Sequence, residues 1–172
     1  MLTNQPLINV ALITPEIPHN TGNIIRLCAN VGARLHLIEP LGFDLSDSNL
    51  RRAALDYSDI SDVVIHENSP AFLASIDSKE IYGAISDGYV PYTLPKYKPG
   101  TTILFGRESL GLPLDIVSEI HESRRIRIPM RPANRSLNLS NAVAIIVYEV
   151  WRQLNFRNSL EVPNHKNESY FS

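Results

Sequence analysis

LINVALITPEIPHNTGNIIRLCANVG, residues 7–32, is the stretch that decides the fold. Leu7–Thr14 is apolar and rich in branched side chains along its whole length, the pattern of a strand buried on both faces. Pro15-Glu16-Ile17-Pro18 stops it. Asn20 or Thr21 is then placed to cap a helix in which Ile24, Leu27, Cys28 and Val31 recur at helical spacing, and Gly32 is placed to end it. A buried strand followed at once by an amphipathic helix is the repeating unit of a parallel sheet. The same alternation continues outward. Leu35–Ile38 reads as a strand closed by Glu39-Pro40, Asn49–Ala54 as a short helix, Val63–His66 as a strand and Pro70–Ile76 as a helix. Ile81–Ile85 and Thr101–Phe105 are further strands, separated by a long loop between Gly88 and Gly100. Pro113–Ile120 is a helix, Arg125–Ile128 the last strand and Leu139–Leu154 the longest helix. The expectation is an α/β fold: a parallel sheet with helices on both faces, one domain over residues 1–155, and a polar, frayed C-terminal tail over 156–172.

Composition narrows the function. The chain has 172 residues, 44% hydrophobic and 20% charged, enough for one full-sized core. No apolar run approaches the roughly 18 residues of a membrane span, and Met1–Gln5 lacks a basic, apolar leader. The single cysteine, Cys28, allows no internal disulfide, so a cytoplasmic protein is expected. The net charge of −2 argues against a partner bound by bulk positive charge alone. The arginines are nevertheless clustered: Arg124, Arg125, Arg127, Arg131 and Arg135 in one stretch, Arg51 and Arg52 in another. Such clusters are either phosphate-binding patches or solvated surface.

The last helix is apolar nearly all round. Val143, Ile146, Val147 and Val150 line one side, and Ala144, Ile145, Tyr148 and Trp151 occupy others. It is therefore buried on more than one face, as a central core helix or as part of a subunit interface.

Several chemistries are poorly served. The first strand leads into Pro-His-Asn-Thr-Gly-Asn rather than a G-x-G-x-x-G dinucleotide turn, and no Walker A sequence is present. Gly106-Arg107-Glu108-Ser109 puts its serine three residues after the glycine, where a nucleophile elbow needs two. His19, His36, His66, His121 and His165 show no metal-ligand spacing.

Three polar loops remain, each following a strand, where open α/β sheets place their ligands. The first is Asn20-Thr21-Gly22-Asn23-Ile24-Ile25-Arg26. Alone it is explained by a helix cap and a surface cation. The second, Ile103-Leu104-Phe105-Gly106-Arg107-Glu108-Ser109-Leu110-Gly111-Leu112-Pro113, is either a plain strand-to-helix turn or a site edge with Glu108 pointing in. The third places Ser136, Asn138, Ser140 and Asn141 before the last helix, more polar groups than a cap requires.

Taken together, PEIPHNTGNIIRLCANVGARLHLIEPLGF, FGRESLGLP and IRIPMRPANRSLNLSNAVAIIVYEVWRQL resemble, in order and spacing, the three motifs of the SPOUT RNA methyltransferases of the SpoU branch. The likeness is strongest to those acting on tRNA cytidine or uridine 34, and LRRAALDY at residues 50–57 is similar to that group as well. It spans roughly residues 7–155. The resemblance implies an α/β-knot fold, a parallel sheet whose C-terminal part is threaded into a deep trefoil knot. It implies S-adenosylmethionine as methyl donor (S-adenosylhomocysteine as product), no metal, and a homodimer built on the last helix. The implied cofactor-binding residues are Ala84, Leu104, Gly106, Ile128, Met130, Ser136 and Leu137. Catalytic or substrate roles carry over to Asn20, Arg26, Glu108, Ser136 and Asn138. The resemblance implies Arg26 as the base, but a guanidinium is essentially always charged, so the expected role is rather to grip a phosphate and stabilise a developing alkoxide, with the identity of the base left open. Arg51, Arg52, Arg131, Arg135 and Tyr148 are the expected contacts to RNA, the anticodon stem-loop of tRNA. Arg107 and Asp87 add charges near the site that bear on which RNA is accepted. The alternatives are an enzyme of the same fold acting on another tRNA position or on ribosomal RNA, and a non-catalytic RNA-binding protein.

Overall fold

A computed structural model describes residues 6–46, 48, 50, 52, 63–76, 80–133 and 136–160. Its elements, in chain order, are β1 (Ile8–Ile13), α1 (Pro18–Val31), β2 (Arg34–Ile38), β3 (Val63–His66), α2 (Ser69–Ser75), β4 (Ile81–Ala84), β5 (Val90–Pro91), β6 (Thr101–Phe105), α3 (Leu114–Glu119), a 3-10 turn (Glu122–Arg124), β7 (Arg125–Arg127) and α4 (Leu139–Gln153). All strand pairings are parallel, in the order β3-β2-β1-β6-β4-β7-β5.

Strand alternation sorts the core into two layers. Ile8, Val10 and Leu12 of β1, with Ile103 and Phe105 of β6, face α1 and α4, where Ile24, Ile25, Cys28, Val143, Ile146, Val147 and Val150 meet them. Ala11 and Ile13, with Leu104, face the other way, onto Phe72 of α2 and Ile116 of α3. The sheet is thus covered on both sides, which is why its strands read as continuous apolar runs.

The strand order is interleaved. β6 lies between β1 and β4, and β7 lies between β4 and β5, both strands that precede it in the chain. Register aligns the ends of four strands: Leu12 pairs with Phe105, Phe105 with Ala84, and Ala84 with Ile126. The loops leaving β1, β6, β4 and β7 therefore open at one edge.

Several expectations are corrected. α1 begins at Pro18, with Ile17 as its cap residue, so neither Asn20 nor Thr21 caps it. Proline is pre-shaped for a first helical position, and Asn20 lies buried inside the first turn. Gly32 does end α1, in the left-handed conformation with φ 68°. The Gly88–Gly100 segment contains a two-residue strand, and the 3-10 turn before β7 was not foreseen. The tail does not fray at its start, since Trp151 Nε1 donates to the carbonyl of Arg157 at 3.0 Å. Of the helix expected over residues 49–54, Asn49, Arg51, Ala53 and Ala54 lie outside the described residues, while Leu50 is helical and buried. α4 resolves into a core face of Val143, Ile146, Val147, Val150 and Trp151, and an outward face carrying Ile145 and Tyr148.

Candidate active site at the strand ends

A cavity of about 860 Å³ opens where the ends of β4, β6 and β7 meet the start of α4. That is ample for a small-molecule ligand. Its floor is apolar, built from Ala84, Ile85, Phe105, Leu112, Ile126, Ile128 and Ile146, and polar groups enter from Ser86, Asp87, Arg107 and Ser136.

One hydrogen-bond chain joins the three sequence motifs at the wall. Asn138 Nδ2 donates to Asn20 Oδ1 at 3.0 Å, and Asn20 Nδ2 donates to Glu108 Oε1 at 3.1 Å. The Glu108 carboxylate also accepts the backbone N–H of Glu16 at 2.8 Å and that of Ile17 at 3.2 Å. Asn138 Oδ1 meanwhile caps α4 by accepting from Ser140 N at 2.9 Å. The N–H of the cap residue Ile17, and that of Glu16 just before it, are thus met from the loop after β6 by a carboxylate, which the positive end of a helix favours. A second carboxylate returns the contact: Glu16 accepts from Ser109 N at 3.0 Å and from Ser109 Oγ at 2.8 Å. Asn20, Glu108 and Asn138 therefore hold the loops of the site in place.

Gly106 is required sterically. A Cβ there would lie 1.8 Å from the carbonyl carbon of Gly111, because the loop folds back through Arg107 N to Gly111 O (3.2 Å) and Gly111 N to Arg107 O (2.9 Å).

Most of the expected residues converge here. Asn20, Ala84, Gly106, Glu108, Ile128, Met130, Ser136, Leu137 and Asn138 are all on the cavity wall, as are Asp87 and Arg107. Leu104 is not: it points through the opposite face of the sheet and is fully buried near Ile13 and Phe72. Arg26 is exposed on α1 and takes no part in the wall. Arg52, Arg131 and Tyr148 are exposed and take no part in the wall, and Arg51 and Arg135 lie outside the described residues. The arginine cluster divides. Arg124 sits 5.6 Å over the Tyr82 ring and Arg125 Nε donates to the carbonyl of Ile120 at 2.8 Å, so both are structural, whereas Arg127 reaches the cavity. Sequence reasoning missed the Glu16–Ser109 pair, having read Pro15–Pro18 only as a strand stop. It also missed Ser86, although a polar residue directly after a strand was the available signal. Among the described residues no group of three or more His, Cys, Asp or Glu is arranged to hold a metal ion, and no helix is long and apolar enough to cross a membrane.

Comparison with known proteins agrees with this geometry. The model of the SpoU rRNA methylase family matches residues 7–148. A tRNA (cytidine(34)-2′-O)-methyltransferase of Burkholderia ambifaria is 49% identical over 152 residues, 87% of this chain and 97% of that one. The protein of the same name in Escherichia coli K12 is 47% identical over 150 residues, covering 87% and 96%. Among solved structures, one from a study of 2′-OH methylation of C/U34 on tRNA superposes with a TM-score of 0.82 at 38% identity, covering 88% of this chain and 99% of that one. An S-adenosylmethionine-bound rRNA methyltransferase of Sinorhizobium meliloti gives 0.76 at 25% identity, covering 88% and 58%. With its three motifs joined at one cavity and likeness running almost end to end, the chain belongs to the SpoU methylase family.

Proposed function

We infer that the protein methylates the ribose 2′-oxygen of the tRNA wobble nucleotide, position 34, cytidine or modified uridine, using S-adenosylmethionine. The observation that carries this reading is the near full-length likeness to enzymes of that name, at 46–49% identity, in a chain whose motif residues meet at one cavity.

The cavity fits the cofactor by its chemistry. The apolar strand ends, with Ile85, Leu112, Ile126 and Ile128, suit a flat adenine ring, and Ser86, Asp87, Arg107 and Ser136 offer partners for hydroxyl, ammonium and carboxylate groups. When bound, S-adenosylmethionine supplies an already activated methyl group. The protein's share is alignment. Asn20, Glu108 and Asn138 fix the mouth where a ribose enters, and Ser136 and Asn138 present polar groups there. Arg26, exposed and without a hydrogen bond or ion pair among the described residues, is available to an RNA phosphate or to the 2′-oxygen as it gains charge. The trefoil threading belongs to the same reading, and the interleaved placement of β6 and β7 supports it. So does a homodimer, which would cover the outward Ile145 and Tyr148 of α4. The anticodon stem-loop as the bound element of tRNA and a cytoplasmic location complete the reading.

The test is transfer of labelled methyl to tRNA lacking the modification, with the labelled nucleotide mapped. Label on the ribose of position 34 is expected. Label at another position, or on ribosomal RNA alone, would move the substrate while keeping the chemistry, and no label on either would defeat the enzymatic reading.

A further inference from the structure

We propose that Leu110 and Leu114 form the seat of the target nucleobase and so act as base-positioning residues; the proposal rests on the methyl transfer inferred above. Leu110 is 77% and Leu114 85% exposed, yet both belong to the cavity wall. Ile17, Met130 and Leu137 share that wall and are each more than a third exposed. Single exposed apolar residues are ordinary, but several gathered around one opening mark a binding surface.

Leu110 is also held still. The turn that carries it is closed at both ends by the Arg107–Gly111 backbone pair and tied at Ser109 to Glu16. A leucine fixed in this way is presented to a partner.

The geometry of a nucleotide identifies that partner. The base is attached to the ribose carbon next to the one bearing the 2′-oxygen, so a ribose entering the mouth brings its base to the rim. An unstacked base offers two apolar faces, and single-stranded RNA is commonly held by such faces. Arg107 and Arg127 stand on the same wall and form no ion pair with a described carboxylate. RNA would supply phosphates for them. A second copy of the chain packed on this rim would bury both cations instead. Contact through base faces does not read the ring edges that distinguish cytosine from uracil, so this seat positions a base without choosing between them.

The experiment uses the full chain and two tRNA substrates: one with an intact base at position 34, and one with an abasic ribose there that keeps its 2′-hydroxyl. The ratio of kcat/KM for intact over abasic substrate is compared between wild type and L110S/L114S. That ratio is expected to fall about tenfold, as loss of apolar burial at a leucine predicts. Leu110→Phe, which keeps an apolar face, is expected to hold it. An equal loss on both substrates, or a loss matched by weaker S-adenosylmethionine binding in calorimetry, would overturn the proposal, because the leucines would then serve the dimer or the cofactor. A wild-type protein that methylates no tRNA would overturn the underlying function itself, a result distinguishable from failure of the leucines alone.

Discussion

The carboxylate of Glu108 caps the helix that begins after Ile17, 91 residues away in the chain, accepting that residue's N–H at 3.2 Å. All the groups it meets are donors: two backbone N–H groups and the Asn20 amide. Glu108→Gln would turn one acceptor into a donor facing a donor. The expected cost is about 1–3 kcal/mol, a fall in Tm of the order of 5 °C, with methyl transfer reduced as the loops separate. Thermal melts of the two proteins check it.

Asn138 serves two neighbours with two atoms, and substitution can separate them. Asn138→Asp keeps the oxygen that caps α4 but sets a second oxygen against Asn20 Oδ1. Activity should fall at least tenfold with modest loss of stability. Asn138→Ala should lose the cap as well, at a further cost of about 1 kcal/mol. Equal activity in wild type and the aspartate variant would show that the Asn20 contact does not matter to turnover.

Gly106→Ala places a methyl group inside the backbone of Gly111 and Leu112. The loop must open, so cofactor affinity should drop beyond measurement by calorimetry while the sheet stays folded by circular dichroism. Retained affinity would mean that the loop shape is not needed for binding.

Arg26→Lys keeps the charge but loses the planar fork that grips a phosphate or an oxyanion. Since Arg26 stands outside the cavity wall, cofactor affinity should hold while kcat/KM for tRNA falls more than tenfold. Near-normal turnover would remove Arg26 from the mechanism.

Away from the site, His36 is buried between Asn9, His66 and Phe72. Asn9 Nδ2 donates to the carbonyl of Gly100, so its oxygen faces His36 Nε2, which must carry the proton. His36 Nδ1 then accepts from His66 Nε2 at 2.9 Å. Burial, with the charges of His66 and Arg34, holds His36 down at about 4, and burial lowers His66 too. The unfolded chain protonates first, near pH 6.5. The contribution to stability is therefore full above that pH and is lost as pH falls towards 4. Tm measured from pH 7 to 4.5 should decline across this window, and His36→Gln should flatten the decline.

The fold was legible where apolar residues run unbroken or recur at helical spacing. β1, β2, β6 and α4 fall where their apolar runs sit, because both patterns are local properties of the sequence. The cap of α1 was not legible, since its acceptor comes from Glu108 in a distant loop and Asn20 is chemically just as able to cap. Leu104 was misplaced for a different reason. Its neighbours Ile103 and Phe105 must face the opposite way, but only the assembled sheet shows which face lies beside the cavity. Glu16 gave no signal, because a carboxylate between prolines looks like any exposed loop charge until Ser109 is folded against it.

The placement of β7 between β4 and β5 has a consequence for synthesis on the ribosome. Both flanking strands emerge first, and the slot between them stays empty until residues 125–127 arrive. Most of the rest of the cavity wall on this side, Ile128, Met130 and the segment from Ser136 to Ile146, comes later still. A nascent or truncated chain can build most of the sheet and still have no closed binding site. Competence to bind a ligand therefore comes late in the life of the folding chain, and it reports that translation ran at least as far as Ile146 in α4.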